Sequence, residues 1–213
     1  MKRFVIGTGS GRCGTMSLAK LLNGCKGVNV FHELNAKKDT DAILSYKRDE
    51  EQLKRKLNLL NSLEGTLVGD VALYYLNHID WFFEKLSNLK VIYMWRDKEE
   101  VVESYIRKTE KGVLLNHWWS EKRKAGTSYV IHHRWNKAYP KFDNTKTKRE
   151  AIAKFWDWCM KKGCELKRKY PDKVLMINVY DLNSKFFQKI IFDFLEIPET
   201  NRNYQTVWEN RGR

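Results

Sequence analysis

Between residues 7 and 15 the chain reads GTGSGRCGT, a glycine run carrying one arginine and ending in a threonine. Glycines let backbone N–H groups close around an anion, and a helix beginning at the end of the run turns its positive dipole toward that anion. Arg12 adds a side-chain cation, and Thr15 and Ser17 add hydroxyls. A second group lies in WRDKEEVVES, which holds Arg96 and, one helix stretch later, Ser104. A third is FHE, where His32 and Glu33 are candidate proton acceptors. Asp70, in VGDVALYY, is a carboxylate able to orient an acceptor hydroxyl or to cap the helix that follows. Cations and N–H groups for an anion, with a base nearby, suit the transfer of an anionic group.

The glycine run fits three templates. As a triphosphate loop it has Gly9, four residues, Gly14, and then Thr15 where lysine should stand. Without the lysine that reaches the β- and γ-phosphates, ordinary ATP or GTP hydrolysis is disfavoured. As a dinucleotide fingerprint, Gly9, Gly11 and Gly14 match G-x-G-x-x-G, and Glu33 stands about where a ribose-binding acid belongs. Against this, Arg12 is foreign to a turn in which backbone and dipole suffice, and Gly7 and Thr8 offset the motif from its strand. The third template is a phosphosulfate cradle, in which Arg12 neutralises charge on a departing phosphate. A tight strand-to-helix turn with no ligand also accounts for the glycines.

These residues need elements to position them. RFVIG, VNVF, TLVGDVAL, KVIYMW and KVLMINVYDL read as short buried strands. TMSLAKLLNG, LNHIDWFFEKL, DKEEVVESYIRKT, REAIAKFWDWCMKKGCELKRKY and KFFQKIIFDFLEI read as helices, and residues 38–63 as one long surface helix. Strands alternating with helices predict one α/β domain over 1–213, a parallel sheet of about five strands with helices on both faces. Ligands of such sheets bind beyond the carboxyl ends of the strands. The glycine run, His32–Glu33, Gly69–Asp70 and Arg96 all follow strands, so they should meet at one edge. Residues 111–147 break the pattern. They hold His117, Trp118, Trp119, Tyr129, His132, His133, Trp135 and Tyr139, and read as a partly helical insertion that either walls the acceptor site or only stabilises the fold.

Composition bounds the rest. The 213 residues suffice for one sizeable core, and a hydrophobic fraction of 42% excludes a disordered chain. A formal charge of +14 favours anionic partners: nucleic acid, acidic glycans, anionic lipids or phosphorylated cofactors. Four cysteines with no zinc-like spacing read as reduced thiols. Met1 runs almost directly into the first strand, and no apolar stretch approaches a membrane span. A cytoplasmic protein without a membrane span is expected, or one trimmed of its anchor.

WRDKEEVVES, a strand followed by Arg-Asp and a helix bearing Ser, resembles the element by which sulfotransferases hold the 3′-phosphate of 3′-phosphoadenylyl sulfate (PAPS). GRCGTMSL resembles that family's 5′-phosphosulfate loop, commonly Lys/Arg, Ser or Gly, Gly, Thr, Thr. Residues 155–198 are similar to its carboxy-terminal segment, in which a helix and strand lead to Tyr-x-Asp-Leu and a last helix ends in Phe-Leu. The resemblance implies a P-loop-like fold, PAPS as donor, 3′-phosphoadenosine 5′-phosphate (PAP) as product and no metal. It puts Arg12, Cys13, Gly14, Thr15, Met16 and Ser17 on the 5′ side of the nucleotide and Arg96 and Ser104 on the 3′-phosphate. Arg211, Gly212 and Arg213 of the basic tail would reach the same phosphate. It makes Glu33 the leading base, with His32 the alternative and on the acceptor side; Asp70, from its own place past a strand, is read as orienting the acceptor or equally as capping the next helix. Met16 departs from the second threonine. Ser17 departs from the tryptophan that stacks on adenine, leaving Trp95 as a candidate stack or a core residue. The acceptor stays open: a small phenol, glycan, peptide tyrosine or lipid, with no nucleic-acid partner expected. The rivals are a small-molecule kinase with a degenerate loop, an NAD(P)-binding oxidoreductase, and a non-enzymatic basic module binding nucleic acid or acidic glycan. Oligomeric state is not legible.

Overall fold

Successive residues of the central strands send apolar side chains to opposite faces, so neither face of the sheet can meet water. In strand β1 (Arg3–Gly9), Val5 joins one cluster of buried side chains and Ile6 the other. In β4 (Leu89–Trp95), Val91 and Tyr93 face one way, Ile92 and Met94 the other. The structure, a computed structural model, describes residues 2–110, 136–140, 142 and 145–207. Strands β1, β2 (Val28–His32), β3 (Leu67–Val71), β4 and β5 (Val174–Asn178) form one sheet in the order β2-β3-β1-β4-β5. Every pairing is parallel.

Helices cover both faces. On one, α1 (Thr15–Asn23) and α6 (Lys185–Phe194) pack over Val5, Val30, Ile92, Met94 and Ile177. On the other, α2 (Glu50–Ser62), α3 (Ile79–Lys85), α4 (Lys98–Glu110) and α5 (Lys148–Lys169) enclose Ile6, Val91, Tyr93 and Val174. The expected α/β architecture with five parallel strands is the one observed. Because all strands run the same way, the residues after Gly9, His32, Val71, Trp95 and Asn178 emerge on one edge.

One helix is shorter than its periodicity suggests. The expected helix over 38–63 is α-helical only at Glu50–Ser62, preceded by a single 3-10 turn at Thr40–Ala42. Asp49 ends the expectation: its carboxylate accepts from the N–H groups of Glu51 and Gln52 and so caps a new start. Upstream, Ile43 and Leu44 bury themselves in an irregular segment. Nor is α2 wholly a surface helix, since Leu53, Lys56 and Leu60 are buried. Residues 111–135, with seven of the aromatic and histidine side chains expected in an insertion, lie outside the described residues. Tyr139 is described, and its ring packs edge-on against Phe155 of α5 at 5.3 Å between centroids.

Gly163 sits inside α5, where glycine is a poor helix former, because α5 crosses the sheet against Tyr93. An added Cβ would lie 2.5 Å from the Tyr93 ring. Alanine would improve helix propensity by about 1 kcal/mol, but overpacking a closed core costs about 1–3 kcal/mol. Gly163→Ala is therefore expected to lower the urea unfolding midpoint. A midpoint that rises would mean the Tyr93 ring yields without cost.

Candidate functional site

The glycine loop between β1 and α1 is held against α4. Gly11 has φ 71°, and a Cβ there would collide with the Tyr105 hydroxyl. That hydroxyl donates to the Ser10 carbonyl at 2.8 Å. Gly14, with φ 87°, ends the loop as the residue preceding α1, and a Cβ there would stand 2.5 Å from Val179. No side chain caps α1, so its first-turn N–H groups keep the anion-binding character of a helix start. Arg12 is itself in left-handed backbone, φ 55°, which sends its side chain toward α4. There its Nε donates to Ser104 Oγ at 2.9 Å.

That hydrogen bond joins the first two sequence motifs. Asp97 caps α4 by accepting from the N–H groups of Glu99 and Glu100, leaving Arg96 beside the helix start. Arg96 is engaged: its Nε donates to Glu100 at 2.9 Å, and its guanidinium lies 5.9 Å from the Tyr180 ring centre. Tyr180 in turn donates to Glu100. Burial, the largest single influence, opposes the charged guanidinium, but Glu100 and Tyr180 together outweigh it and hold the group above its usual range. Tyr180, which follows β5, is half exposed and belongs to this edge, although only its Tyr-x-Asp-Leu context was noted from sequence.

The third motif meets the first through a hydroxyl. Thr15 Oγ1 and His32 Nε2 are 3.0 Å apart, and His32 Nε2 lies 3.7 Å from Glu33 Oε1. Burial holds the His32 imidazole below its ordinary range, with Asp70 opposing and Lys108 and Lys37 adding to the effect. Lys108 is the cation that sequence reading missed. It stands one turn beyond Ser104 on α4, a spacing that puts both on one helix face. Desolvation and the Arg12 charge pull its ammonium down, while Glu33 opposes them.

Other expected residues divide. Met16 is exposed at the start of α1, whereas Cys13 and Ser17 are buried. Burial pushes the Cys13 thiol up to about 11. Trp95 packs against the main core, which fits the core reading better than the adenine stack. Asp70 corrects an expectation. It lies within β3 rather than beyond it, has no exposed surface, and both carboxylate oxygens are taken by protein donors. It has no contact left for an acceptor. Arg211, Gly212 and Arg213 lie outside the described residues. Among the described residues, no group of three His, Cys, Asp or Glu side chains is arranged to hold a metal, and no helix is long and apolar enough to cross a membrane.

No protein-family model and no curated protein matches the chain. Solved structures do. A sulfotransferase from Alicyclobacillus acidocaldarius superposes with a TM-score of 0.57 at 14% identity, over 99% of this chain and 87% of that one. The chain has the sulfotransferase fold. The sulfotransferase domain from the curacin biosynthetic pathway gives a TM-score of 0.52 at 15% identity, over 92% of this chain and 74% of its own. The sulfotransferase domain of the Synechococcus PCC 7002 olefin synthase gives 0.53 at 14%, over 92% and 73%. The sulfotransferase fold thus accommodates both the all-parallel sheet and the edge on which the three motifs meet.

His32 and His78 are both held below their ordinary 6.5 by burial. The unfolded chain then binds more protons than the folded one as pH falls through 6.5, so stability rises with pH in that window. The urea midpoint is expected to fall between pH 7.5 and pH 5.5, and His32→Asn with His78→Asn to flatten that slope. A slope unchanged in the double variant would assign the dependence to other groups.

Proposed function

We propose that this chain is a sulfotransferase that moves a sulfuryl group from PAPS to a hydroxyl or amine. The observation that supports it best is the Arg12–Ser104 hydrogen bond, which makes the glycine loop and the Arg96 helix one continuous anion-binding edge. A dinucleotide site fits less well. The dinucleotide-binding sheet runs 3-2-1-4-5-6, with its second strand beside the first. Here β3 stands between β1 and β2, so Glu33 emerges two strands away from the glycine loop's own strand.

In this reading the backbone of residues 13–17 and the start of α1 receive the 5′-phosphosulfate, with Thr15 adding its hydroxyl. Arg96 and Ser104 take the 3′-phosphate, Arg96 exchanging Glu100 for it, and the tail residues Arg211 and Gly212 add to that grip. Glu33 accepts the proton of the acceptor hydroxyl as its oxygen bonds to sulfur. The bond between sulfur and the bridging oxygen breaks, and its electron pair leaves with PAP. Arg12 faces that developing charge with a fixed guanidinium, and Lys108 lends a second cation. No metal takes part in this scheme. His32, held largely neutral by its surroundings, is the alternative base. The insertion at 111–147 is where an acceptor would be enclosed, and a cytoplasmic setting fits cysteines that are all free.

PAP should bind without magnesium and more tightly than nucleotides lacking the 3′-phosphate. Losing one charge-assisted contact costs about 1.5–3 kcal/mol, so Arg96→Ala should weaken PAP roughly 10- to 150-fold and abolish the preference for a 3′-phosphate. Calorimetry decides: tighter binding of ATP with magnesium, or of NAD, would sink the reading.

With labelled PAPS and a panel of sugar, tyrosyl-peptide, phenol and lipid-alcohol acceptors, Glu33→Gln should lower kcat about 10²- to 10⁴-fold and leave PAP affinity unchanged. His32→Ala run in parallel assigns the base. Full turnover in both variants would mean that neither serves.

A further inference from the structure

The turn that carries Glu33 is gripped from within the protein by a buried ion pair. Lys56 Nζ of α2 and Asp70 Oδ2 of β3 are 3.0 Å apart, and neither side chain has any exposed surface. Both also hold the Leu34 backbone. Asp70 Oδ1 accepts from the Leu34 N–H at 2.9 Å, and Lys56 Nζ donates to the Leu34 carbonyl at 2.8 Å. Lys56 spends its third proton on the Tyr74 hydroxyl at 3.0 Å, and Tyr74 and Tyr75 donate to Asp70 Oδ2 at 3.2 and 2.8 Å. All three ammonium protons are thus placed.

Leu34 is flanked by two non-glycine residues in left-handed backbone, Glu33 at φ 58° and Asn35 at φ 60°. Such conformations persist only where the surroundings over-determine them. A buried ion pair is a poor device for stability alone, because desolvating two charges offsets much of their attraction. It is a good device for fixing backbone, since the Leu34 N–H belongs to the Glu33–Leu34 peptide and the Leu34 carbonyl to the Leu34–Asn35 peptide, so the pair sets both planes that flank Leu34.

We propose that Lys56 and Asp70 are positioning residues for the transfer reaction. By holding the two peptides that flank Leu34 they hold the Glu33 turn, and so keep the Glu33 carboxylate beside His32. Neither residue touches a substrate. The inference rests on the reading of Glu33 as base, and it names Lys56, whose position on a charged helix gave no sign of such a role.

The test reads the position of Glu33 without any acceptor. The titration midpoint of the His32 ring is followed by NMR in four proteins: the parent, Glu33→Gln, Lys56→Met, and the two changes together. Thr15, Glu33, Asp70, Lys37 and Lys108 all act on this ring, and every one except Glu33 cancels in the cycle. In the parent, removing an anion 3.7 Å from Nε2 should lower the midpoint by about half a unit or more. With Met at 56 the same exchange should move it by no more than about a fifth of that. An equal shift in both backgrounds would overturn the clamp, as would no shift in the parent. If Lys56→Met fails to fold because Asp70 is left unpaired, Lys56→Met with Asp70→Leu replaces it in the cycle and leaves no interior charge. PAP affinity is measured on the same proteins. If the parent does not bind PAP, the donor reading fails while the His32 cycle still decides the clamp.

Discussion

One hydroxyl sets the geometry of the candidate site. Tyr105 reaches from α4 to the Ser10 carbonyl, and its oxygen occupies the volume a side chain at Gly11 would need. The loop therefore cannot slide along α4 without losing a buried hydrogen bond. Leaving such a carbonyl unpaired costs about 1–3 kcal/mol. Once the loop and α4 are locked, Ser104 lies within reach of Arg12, and Lys108 lies one turn further along the same face. The contact also spans the point at which the strand order reverses. The chain leaves β1 toward β2 and β3 on one side, while β4 and β5 lie on the other. Loops after β1 and β4 diverge at such a point and leave a crevice for a ligand. Arg12 and Ser104 bridge it.

The site's charges are arranged in pairs that a ligand can exchange rather than as bare cations. Arg96 rests on Glu100 and Tyr180, Arg12 on Ser104, and Lys108 is drawn down by Arg12 and sustained by Glu33. Three cations without counter-groups would repel one another and lower stability. Three cations fully neutralised would not attract a polyanion. Glu100 and Glu33 supply a partial balance on a chain whose formal charge is +14. The buried pair below them differs in kind: Lys56 and Asp70 are closed to solvent and to exchange, so they fix backbone and recruit nothing.

Much of this architecture was legible because its signals are local. Strand and helix alternation, the glycine loop, and the eventual meeting of Arg12, Thr15, His32, Glu33, Arg96 and Ser104 on one edge follow from period and from the rule that parallel strands share a carboxyl end. What stayed hidden depends on non-local pairing. Strand order is not written in periodicity, so nothing in VNVF said that β3 would come between it and β1. The break at Asp49 was hidden for another reason. Charged residues at helical spacing run unbroken through it, and a capping aspartate looks like one more charge until its carboxylate turns back on the backbone. Lys56, inside a segment read as a surface helix, was hidden by the rule that charges face solvent. That rule holds residue by residue and fails for a pair that satisfies itself.

The strand order also bears on what Glu33 can do. In a dinucleotide site the acid must lie beside the glycine loop's strand to reach a ribose whose phosphates rest on that loop. With β3 interposed, Glu33 stands farther out, and the clamp on Leu34 directs its turn back toward Thr15 and His32 instead. A carboxylate at that distance from the anion cradle is badly placed to bind the donor's sugar. In the proposed reaction it meets the second substrate instead. Electrostatics point the same way. A carboxylate in direct contact with a phosphosulfate would repel it, whereas one set back behind a threonine and an imidazole can take a proton without opposing the anion. The residue that completes a dinucleotide fingerprint in the linear sequence stands, once folded, two strands from the glycine loop's own strand and meets Thr15 only by way of His32.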